Sequence, residues 1–537
     1  MKKRIVIFFC IILFCAVGMI GRTTYLCMSP ELTETASKQQ TLRLTLEEER
    51  AQIYDCNGNS FVNNAVAYRA VALPDPTVVD DLIALGCPLS REELASMVEN
   101  GNPFVTDVSY GYSDNPNIHI YQISDRYSEN SLAVHTIGYC NSDGDGVSGI
   151  EKAYNDFLKE NGQTIDVICS LDGLGNYLKG SDLQVQTSGS NSAGVVLTLD
   201  MMIQDIVERA GSGIEKGAIV VLDAPSGEIR AMASFPSFSP NDPAAAMNDE
   251  ELAPMINRVL SPFAVGSTFK ISTAAAALES GISPSLSYTC TGEIDISGQI
   301  FHCHNRDGHG TLQMQDAFVD SCNPYFIYLG MMTGATRLRQ MASDLGFGRE
   351  IVLADGMVSD RGTLPSLETL QNPGQLANFS FGQGDLMGTP LQVAEMILSV
   401  VRGGSSVSPT LVKGTTTDGM NVEPTGQEAA PIQAMSQETA AQIREFMEAT
   451  VLASDKAQPV SVTAGGKSAT AQTGRYDENG NEIYDTWFCG YFPAEEPQYV
   501  VAVLVEGGES GTGDAGPIFS SIADGISLYE RTLGQSQ

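Results

Sequence analysis

The sequence predicts an α+β multidomain protein with an N-terminal transmembrane helix, an elongated α+β pedestal, and a last domain in which helices flank an antiparallel sheet. The chain has 537 residues, which is too long for one ordinary domain. An apolar run from Ile5 to Ile20 follows the basic residues Lys2, Lys3 and Arg4. Strand-like segments lie at both ends of the region 191–537, with helix-like segments between them. These three observations carry the prediction.

The apolar run has the length and flanks of a membrane anchor. It lies at the short end of the roughly 17 to 25 residues that span a bilayer. The basic residues before it predict a cytoplasmic tip and an extracytoplasmic remainder. A cleaved signal peptide is the alternative, but no small-x-small cleavage site follows, so one uncleaved span is expected. We assign residues 1–27 to the tip and anchor, 28–190 to the pedestal, and 191–537 to the last domain.

Composition indicates globular domains with an acidic surface. Apolar residues make up 42% of the chain and charged residues 18%, so each domain can bury a core. The formal net charge of −35 repels phosphate backbones, which argues against nucleic acid as a partner. The 11 cysteines are widely spaced and form no CxxC pair. Their spacing defines no disulfide framework, and free thiols fit equally well.

The pedestal combines short strands, helices and turns. Residues 28 to about 45 predict a polar stalk leaving the membrane. The run 65–73 predicts a strand, and helices are expected near 92–99 and 150–159. The segment 182–193 is rich in Ser, Gly and Gln, which predicts a linker or an exposed loop.

The last domain begins and ends with strands. A strand at 195–199 and a helix at 200–210 precede a hairpin at 216–234. A second hairpin is predicted at 486–506, and a closing helix at 517–530 begins with a proline, where proline is tolerated. We therefore expect one antiparallel sheet built from both ends of the domain.

The first candidate catalytic motif is Ser267-x-x-Lys270. The Ala-rich run 271–280 predicts a buried helix that stops at Gly281, so both side chains lie on one face at its start. A serine becomes nucleophilic when a base removes its proton, and a lysine whose pKa is lowered by burial can be that base. The helix N-terminus adds positive potential and N–H groups for an oxyanion. Alone, the motif is also compatible with a capping serine and a surface lysine.

Two later segments carry residue types that acyl transfer needs. Ser321 and Asn323 follow a predicted helix at 313–320, where a hydroxyl and an amide can relay a proton and hold a substrate amide. Lys467 and Ser468 lie on a predicted edge strand, where they can bind a terminal carboxylate. A backbone N–H of the same strand can complete an oxyanion hole.

The three segments, which begin at residues 267, 321 and 467, resemble the S-x-x-K, S-x-N and K-[ST]-G series of penicillin-binding proteins and serine β-lactamases. Flanking segments extend the resemblance: Asn257-Arg258, Gly382-Gln383-Gly384, Thr389-Pro390-Leu391-Gln392 and Trp487-Phe488-x-Gly490-Tyr491-x-Pro493. Three pedestal segments resemble the non-catalytic domain of class B penicillin-binding proteins: Arg50-x-x-Ile53-Tyr54-Asp55-x-Asn57-Gly58, Ala133-x-His135-x-Ile137-Gly138-Tyr139 and Ser148-Gly149-Ile150-Glu151-Lys152.

The resemblance implies a peptidoglycan D,D-transpeptidase that works through an acyl-enzyme. Ser267 would attack the carbonyl of a D-Ala-D-Ala stem peptide and expel the last D-Ala, while Lys270 takes the serine proton. Ser321 and Asn323 would assist proton transfer and substrate positioning. An amine from a second stem peptide would then attack the acyl-enzyme, and β-lactams would acylate the same serine.

The resemblance also implies the binding residues and the partners. Lys467 and Ser468 would hold the substrate carboxylate, and the N–H groups of Ser267 and Thr470 would form the oxyanion hole. No cofactor is implied. The expected partners are stem peptides, β-lactams, the membrane, and a cell-wall glycosyltransferase or other proteins of division or elongation. The expected location is the cell membrane, single-pass, with the catalytic domain extracytoplasmic.

One residue departs from the family pattern. The glycine of K-[ST]-G is Ala469 here, and its methyl group could crowd the ligand or shift the strand. The competing alignment, Gln472-Thr473-Gly474, lacks the lysine. Two other functions therefore stay open: a D,D-carboxypeptidase or β-lactam-hydrolysing relative, and a weakly active scaffold of a cell-wall complex. Roles in division, elongation and sporulation also stay open.

A group of cysteines and histidines precedes the second motif. Cys290, Phe301-His302-Cys303-His304 and His309 offer ligand types that suit zinc. The family often has Cys and His-Gly in this region without metal, so no metal is predicted. A Cys290–Cys303 disulfide near the site is an alternative. Cys322, inside the second motif, is expected to be a small packing residue that could make the site sensitive to oxidants.

Overall fold

The computed structural model describes residues 2–28, 40–425 and 430–535. These residues form two compact units, each built from separated stretches of the chain. The smaller unit takes in the described residues of 1–50, 63–126 and 161–191, and the larger unit those of 51–62, 127–160 and 192–537. The predicted pedestal segment 28–190 therefore contributes to both units. Its assignment to a non-catalytic role stays a prediction.

The smaller unit begins with the helix Lys2–Met28. Its residues Lys3–Met28 are long and apolar enough to cross a membrane, and no other described helix is. The predicted stalk falls partly on residues 29–39, which lie outside the described residues. Its last part is wrong, because Thr41–Glu49 is a strand.

Two three-stranded antiparallel sheets complete the smaller unit. Their strands are, in spatial order, Thr41–Glu49, Gln163–Ser170 and Gln184–Gly189 in one sheet, and Phe104–Val108, Ala65–Ala72 and Ile118–Asp125 in the other. The helices are Val78–Ala84 and Arg91–Glu99. The loop predicted at 182–193 is wrong, because its centre pairs with the strand 163–170. All six side chains of the strand Gln184–Gly189 are exposed, which accounts for its polar composition.

The larger unit is organised around one five-stranded antiparallel sheet. The spatial order of its strands is Ile229–Phe235, Gly217–Asp223, Tyr499–Gly508, Glu482–Phe492 and Gly465–Tyr476. The first and last parts of the region 191–537 thus meet in one sheet, as the sequence predicts. Gly465–Tyr476, hereafter the edge strand, lies at the side of this sheet.

Side chains that alternate along the strands build a core on each face of this sheet. Val220 and Leu222 belong to one buried cluster, together with Ala274 of the helix Lys270–Glu279. Ile219 and Val221 belong to a second cluster with Phe519 of the C-terminal helix. Because successive residues of a strand point to opposite faces, a continuous apolar strand can fill both cores.

Other elements of the larger unit surround the sheet. The helices are Val134–Ile137, Gly149–Ala153, Asn155–Glu160, Met201–Ala210, Pro243–Met247, Lys270–Glu279, Met314–Val319, Asn323–Thr333, Ala335–Asp344, Pro373–Ser380, Pro390–Val401, Gln437–Leu452 and Ala515–Gln535, with short 3-10 turns at Arg258–Leu260, Gly266–Phe269 and Thr369–Gln371. The smaller sheets are Gln52–Tyr54 with Gly194–Leu197, Val412–Thr416 and Glu423–Pro424, and the pairs Phe263–Ala264 with Met387–Gly388, Tyr288–Cys290 with Gly310–Leu312, Glu293–Ile296 with Gln299–His302, Val352–Ala354 with Met357–Val358, and Ser405–Ser406 with Ile432–Gln433. The single helix predicted at 150–159 is interrupted at Tyr154.

An early segment of the chain is built into the larger unit through Asp55. The strand Gln52–Tyr54 pairs in parallel with Gly194–Leu197. Next to it, the fully buried carboxylate of Asp55 accepts hydrogen bonds from the backbone N–H groups of Asn57 and Asn59, both 2.8 Å, and of Met201, 3.2 Å. This side chain therefore ties residues 51–62 to the start of the helix Met201–Ala210.

We expect Asp55→Ala to lower the free energy of unfolding of the larger unit by about 3 kcal/mol, because three backbone N–H groups lose a fully buried acceptor. Asp418→Ala is the matched control. Asp418 caps a similar turn through the N–H groups of Met420 and Asn421 but is exposed, so its replacement should change stability less. Thermal unfolding of the full chain in detergent measures both variants, and equal shifts would contradict the role given to Asp55.

Candidate active site

Ser267 lies in a tight turn that leads directly into a buried helix. The turn is Gly266–Phe269, and the helix Lys270–Glu279 follows without a break. The predicted buried helix is confirmed, with its first residue at Lys270. Ser267 is half-buried, and no described residue hydrogen-bonds to its hydroxyl group.

Two glycines allow this turn to approach its neighbours closely. Gly266 has a φ of +56°, and a Cβ there would lie 2.8 Å from the Cβ of Ala471 on the edge strand. Gly382 has a φ of +84°, and a Cβ there would lie 1.9 Å from the carbonyl oxygen of Gly266. Any side chain at Gly382 would therefore displace the turn that carries Ser267.

The side chain of Lys270 joins the first motif to the second. Its Nζ is 2.7 Å from the carbonyl oxygen of Ser321, 3.0 Å from Ser321 Oγ and 2.8 Å from Asn323 Oδ1. Lys270 is fully buried. Burial, and then the nearby charge of Lys467, hold the pKa of Lys270 well below its usual range. A neutral amine in this position has the lone pair that a general base needs.

The loop that carries Ser321 is held in an uncommon backbone conformation. Ser321 has a φ of +52°, in the left-handed region that non-glycine residues seldom adopt. The N–H of Ser321 donates to Phe318 O, and the N–H of Cys322 donates to Ala317 O, 2.9 Å away. Asn323 begins the next helix, and its Nδ2 donates to His302 O at 3.3 Å. Contacts from both sides thus fix the hydroxyl and the amide that face Lys270.

The third motif brings a second buried lysine to the same place. Lys467, on the edge strand, is fully buried, and its Nζ lies 5.7 Å from the centre of the Phe318 ring. Its Nζ donates to Ser468 O at 3.0 Å. Burial lowers the pKa of Lys467 to about 8. Along this strand the side chains alternate, so that Ser468 is half-buried and Thr470 is exposed.

Ala469 faces the buried side of the edge strand. It is 3% exposed and belongs to the same core cluster as the helix Lys270–Glu279. Its Cβ would lie 3.4 Å from a Cβ placed on Gly266. The methyl group therefore packs against the turn that carries Ser267, on the face opposite to Ser468 and Thr470. This position gives the methyl group a packing role rather than a place in the path of a ligand.

Contacts that the sequence does not reveal anchor the turn that carries Ser267 to the sheet. Trp487 Nε1–H donates to the carbonyl oxygen of Ala264, 2.9 Å away, three residues before Ser267. Arg258 forms a buried ion pair with Glu506, with 2.6 Å between Nε and Oε1. The sequence singles out Trp487 and Arg258 only as parts of family-like segments. The structure gives both a positioning role.

A cluster of three cysteines and one histidine lies directly behind the second motif. The ligand atoms of Cys290, Cys303, His309 and Cys322 all lie within 4.8 Å of one another. All three cysteines are free thiols, so the alternative of a Cys290–Cys303 disulfide is not formed. A hydrogen bond from Cys322 lowers the pKa of the Cys303 thiol, and the same contact raises that of Cys322. His302 is exposed beside Glu293 instead.

The fold and the geometry together define a class of protein. A serine before a buried helix, a buried lysine one turn later that reaches a Ser-x-Asn loop, and a second buried lysine on an edge strand are the parts of a serine acyl-transferase that recognises penicillin. The chain belongs to the penicillin-binding protein family, because the penicillin binding protein transpeptidase domain matches residues 217–524.

Known proteins extend this match to almost the whole chain. The chain is 29% identical over 545 residues to stage V sporulation protein D of Bacillus subtilis (strain 168), covering 94% of this chain and 82% of that protein. It is 31% identical over 376 residues to the peptidoglycan D,D-transpeptidase PbpA of Mycobacterium tuberculosis (strain ATCC 25618 / H37Rv), covering 64% of this chain and 74% of that protein. The solved D,D-transpeptidase domain of a peptidoglycan glycosyltransferase from Eggerthella lenta has a TM-score of 0.64 and 26% identity, covering 90% of this chain and 99% of that one.

These similarities confirm three predictions made from the sequence. The family is that of class B penicillin-binding proteins, the fold is α+β with helices packed on an antiparallel sheet, and the enzyme is a D,D-transpeptidase. The structure places the turn of Ser267 against the edge strand and Lys270 against Ser321 and Asn323, so the three motifs lie next to one another.

We expect Ala469→Gly to leave the rate of acylation by a penicillin within about threefold of wild type, because the methyl group faces the core. The same change should destabilise the larger unit by about 1 kcal/mol, through the added backbone freedom and the lost packing. Stopped-flow labelling and thermal unfolding measure the two effects. A tenfold gain in acylation would show instead that the methyl group obstructs the ligand.

Proposed function

We propose that Ser267 is the nucleophile that forms an acyl-enzyme with the D-Ala-D-Ala end of a stem peptide, and that Lys270 removes its proton. The observation that supports this most directly is the fully buried amine of Lys270, one helical turn after the serine, with its pKa well below the usual range. Attack on the penultimate carbonyl expels the last D-Ala, and the amine of a second stem peptide closes the cross-link.

Ser321 and Asn323 position the base and pass a proton to the leaving group. Their oxygen atoms are 2.7–3.0 Å from the Nζ of Lys270, so a proton taken from Ser267 reaches the Ser321 hydroxyl through one amine. The hydroxyl then donates to the nitrogen of the departing D-Ala. Because the loop is fixed on both sides, this relay needs little rearrangement during the reaction.

Lys467 and Ser468 bind the terminal carboxylate of the substrate. Lys467 carries a charge below its pKa of about 8, and Ser468 lies beside it on the half-exposed side of the strand. The N–H groups of Ser267 and Thr470 form the oxyanion hole, since the turn and the edge strand run next to each other. β-lactams enter through the same contacts and acylate Ser267.

The helix Lys3–Met28 anchors the chain to the cell membrane in a single pass, and the larger unit lies on the extracytoplasmic side. The basic residues Lys2, Lys3 and Arg4 support this orientation. Labelling of Ser267 in intact cells by a penicillin that does not cross the membrane checks it. A membrane-bound glycosyltransferase that supplies the glycan strands is the partner we propose, since cross-linking consumes its product.

Ser267→Ala should abolish covalent labelling by a fluorescent penicillin, because the bond-forming oxygen is removed. Ser272→Ala is the matched control on the same helix. Its buried hydroxyl finds no hydrogen-bond partner among the described residues, so labelling should persist. Mass spectrometry of the labelled peptide identifies the acylated residue, and an adduct on any other serine would overturn the assignment.

The reaction products distinguish a transpeptidase from a D,D-carboxypeptidase and from an inactive scaffold. With a stem-peptide donor and an acceptor amine, the wild type should form the cross-linked dimer and release one D-Ala. Release of D-Ala without dimer, at saturating acceptor, would identify a D,D-carboxypeptidase. Normal recruitment to a cell-wall complex without any acylation would identify a scaffold.

The second-order rate of acylation should fall as the pH rises through about 8, because Lys467 is charged below this pKa and neutral above it. Lys467→Met should abolish this alkaline limb of the pH profile and lower the rate about 100-fold, since the ligand carboxylate loses its cation. At acid pH the rate should fall as Lys270 takes up a proton. In Lys467→Met this acid limb should move to higher pH, because the charge that lowers the pKa of Lys270 is gone. Lys413→Met, a half-buried lysine on another sheet, serves as the control, and an alkaline limb unchanged in Lys467→Met would contradict the assignment.

A further inference from the structure

Four side chains from four separate segments meet next to the Ser-x-Asn loop, and one of them belongs to that loop. Cys290 ends the strand Tyr288–Cys290, and Cys303 follows the strand Gln299–His302. His309 precedes the strand Gly310–Leu312, and Cys322 is the residue before the helix Asn323–Thr333. Their ligand atoms all lie within 4.8 Å of one another, and Cys303 Sγ is 3.5 Å from His309 Nδ1.

The residue types and the distances fit one metal ion. Three thiolates and one imidazole are a common tetrahedral ligand set for structural zinc. Zinc–ligand bonds of about 2.3 Å to sulfur and about 2.0 Å to nitrogen separate the ligand atoms by about 3.5–3.8 Å. The separation of Cys303 Sγ and His309 Nδ1 already has this value. The widest separation needs to close by only about 1 Å, which side-chain rotations can supply.

Burial of the three cysteines supports a closed site. Cys290 is 2% exposed, Cys303 1% and Cys322 not at all. Four protein ligands fill a tetrahedral shell and leave no position for water, which is the arrangement of structural rather than catalytic zinc.

We propose that Cys290, Cys303, His309 and Cys322 bind one structural Zn²⁺ ion that fastens the Ser-x-Asn loop to the hairpin region before it. On binding, the three thiols lose their protons to solvent and the imidazole binds in its neutral form, so no oxidation or reduction takes place. The sequence alone predicts no metal, because the family often has Cys and His-Gly in this region without one, and it assigns Cys322 to packing.

The position of Cys322 gives the ion a consequence for the active site. Its neighbours Ser321 and Asn323 both contact the Nζ of Lys270. Ser321 holds a left-handed conformation that costs free energy, and a zinc–sulfur bond at the next residue opposes its relaxation. Asn323 also donates to the carbonyl oxygen of His302, next to Cys303, so the ion and this hydrogen bond clamp the loop from the same side.

Metal content of the full chain, purified in detergent without chelator, tests the site independently of the transpeptidase reaction. Wild type should carry about one zinc per chain. Cys322→Ser and His309→Ala should lose it. His302→Ala and Cys169→Ser are matched controls that should retain it, since His302 is exposed beside the cluster and Cys169 is a buried cysteine of the smaller unit. Cobalt in place of zinc should give a thiolate-to-metal absorption band that Cys322→Ser lacks.

Chelation of the wild type keeps the proposal testable if a ligand variant fails to fold. Removal of zinc should lower the melting temperature and slow acylation by a penicillin, and added Zn²⁺, but not Mg²⁺, should restore both. Wild type that carries no zinc and gains no stability from added Zn²⁺ would overturn the proposal. A disulfide between any two of the three cysteines in the purified chain would also overturn it.

Discussion

The chemistry we propose depends on removing one amine, that of Lys270, from water. Burying a charged ammonium group is costly, so the group instead loses its proton and becomes a base. The same burial requires partners for the N–H bonds, which the backbone and side chains of residues 321–323 provide at 2.7–3.0 Å. The strained conformation of Ser321 is the cost of placing two of these acceptors in one short loop.

The two buried lysines, Lys270 and Lys467, have different proposed roles. Lys467 keeps a pKa of about 8 and remains charged at neutral pH, and its charge helps to keep Lys270 neutral. In the proposed mechanism one lysine serves as a base and the other as a cation, although both are fully buried. Close packing makes this possible, because glycines at 266 and 382 let the turn of Ser267, the edge strand and a neighbouring loop approach one another.

Local signals in the sequence predicted much of this molecule. Short apolar runs separated by turn residues identified the hairpins of the central sheet, and the Ala-rich run after Lys270 identified the buried helix Lys270–Glu279. The order and spacing of the three motifs predicted that they meet at one site. Contacts between distant residues could not be predicted in this way. Cys322 is a ligand candidate only because folding brings it next to Cys290. The exposed strand Gln184–Gly189 is stabilised by pairing with its neighbour rather than by its own composition.

The pairing of Gln52–Tyr54 with Gly194–Leu197 constrains the order in which the molecule can form during synthesis. The strand Gln52–Tyr54 leaves the ribosome long before Gly194–Leu197 is made. The strand Gly217–Asp223 cannot pair with Tyr499–Gly508 until almost the whole chain has been synthesised. Such distant pairings fold slowly and leave strand edges open to aggregation and to proteases in the meantime. A fragment cut at residue 191 would lack a strand of the larger unit. Nearly the whole polypeptide must therefore be complete before the candidate active site can form.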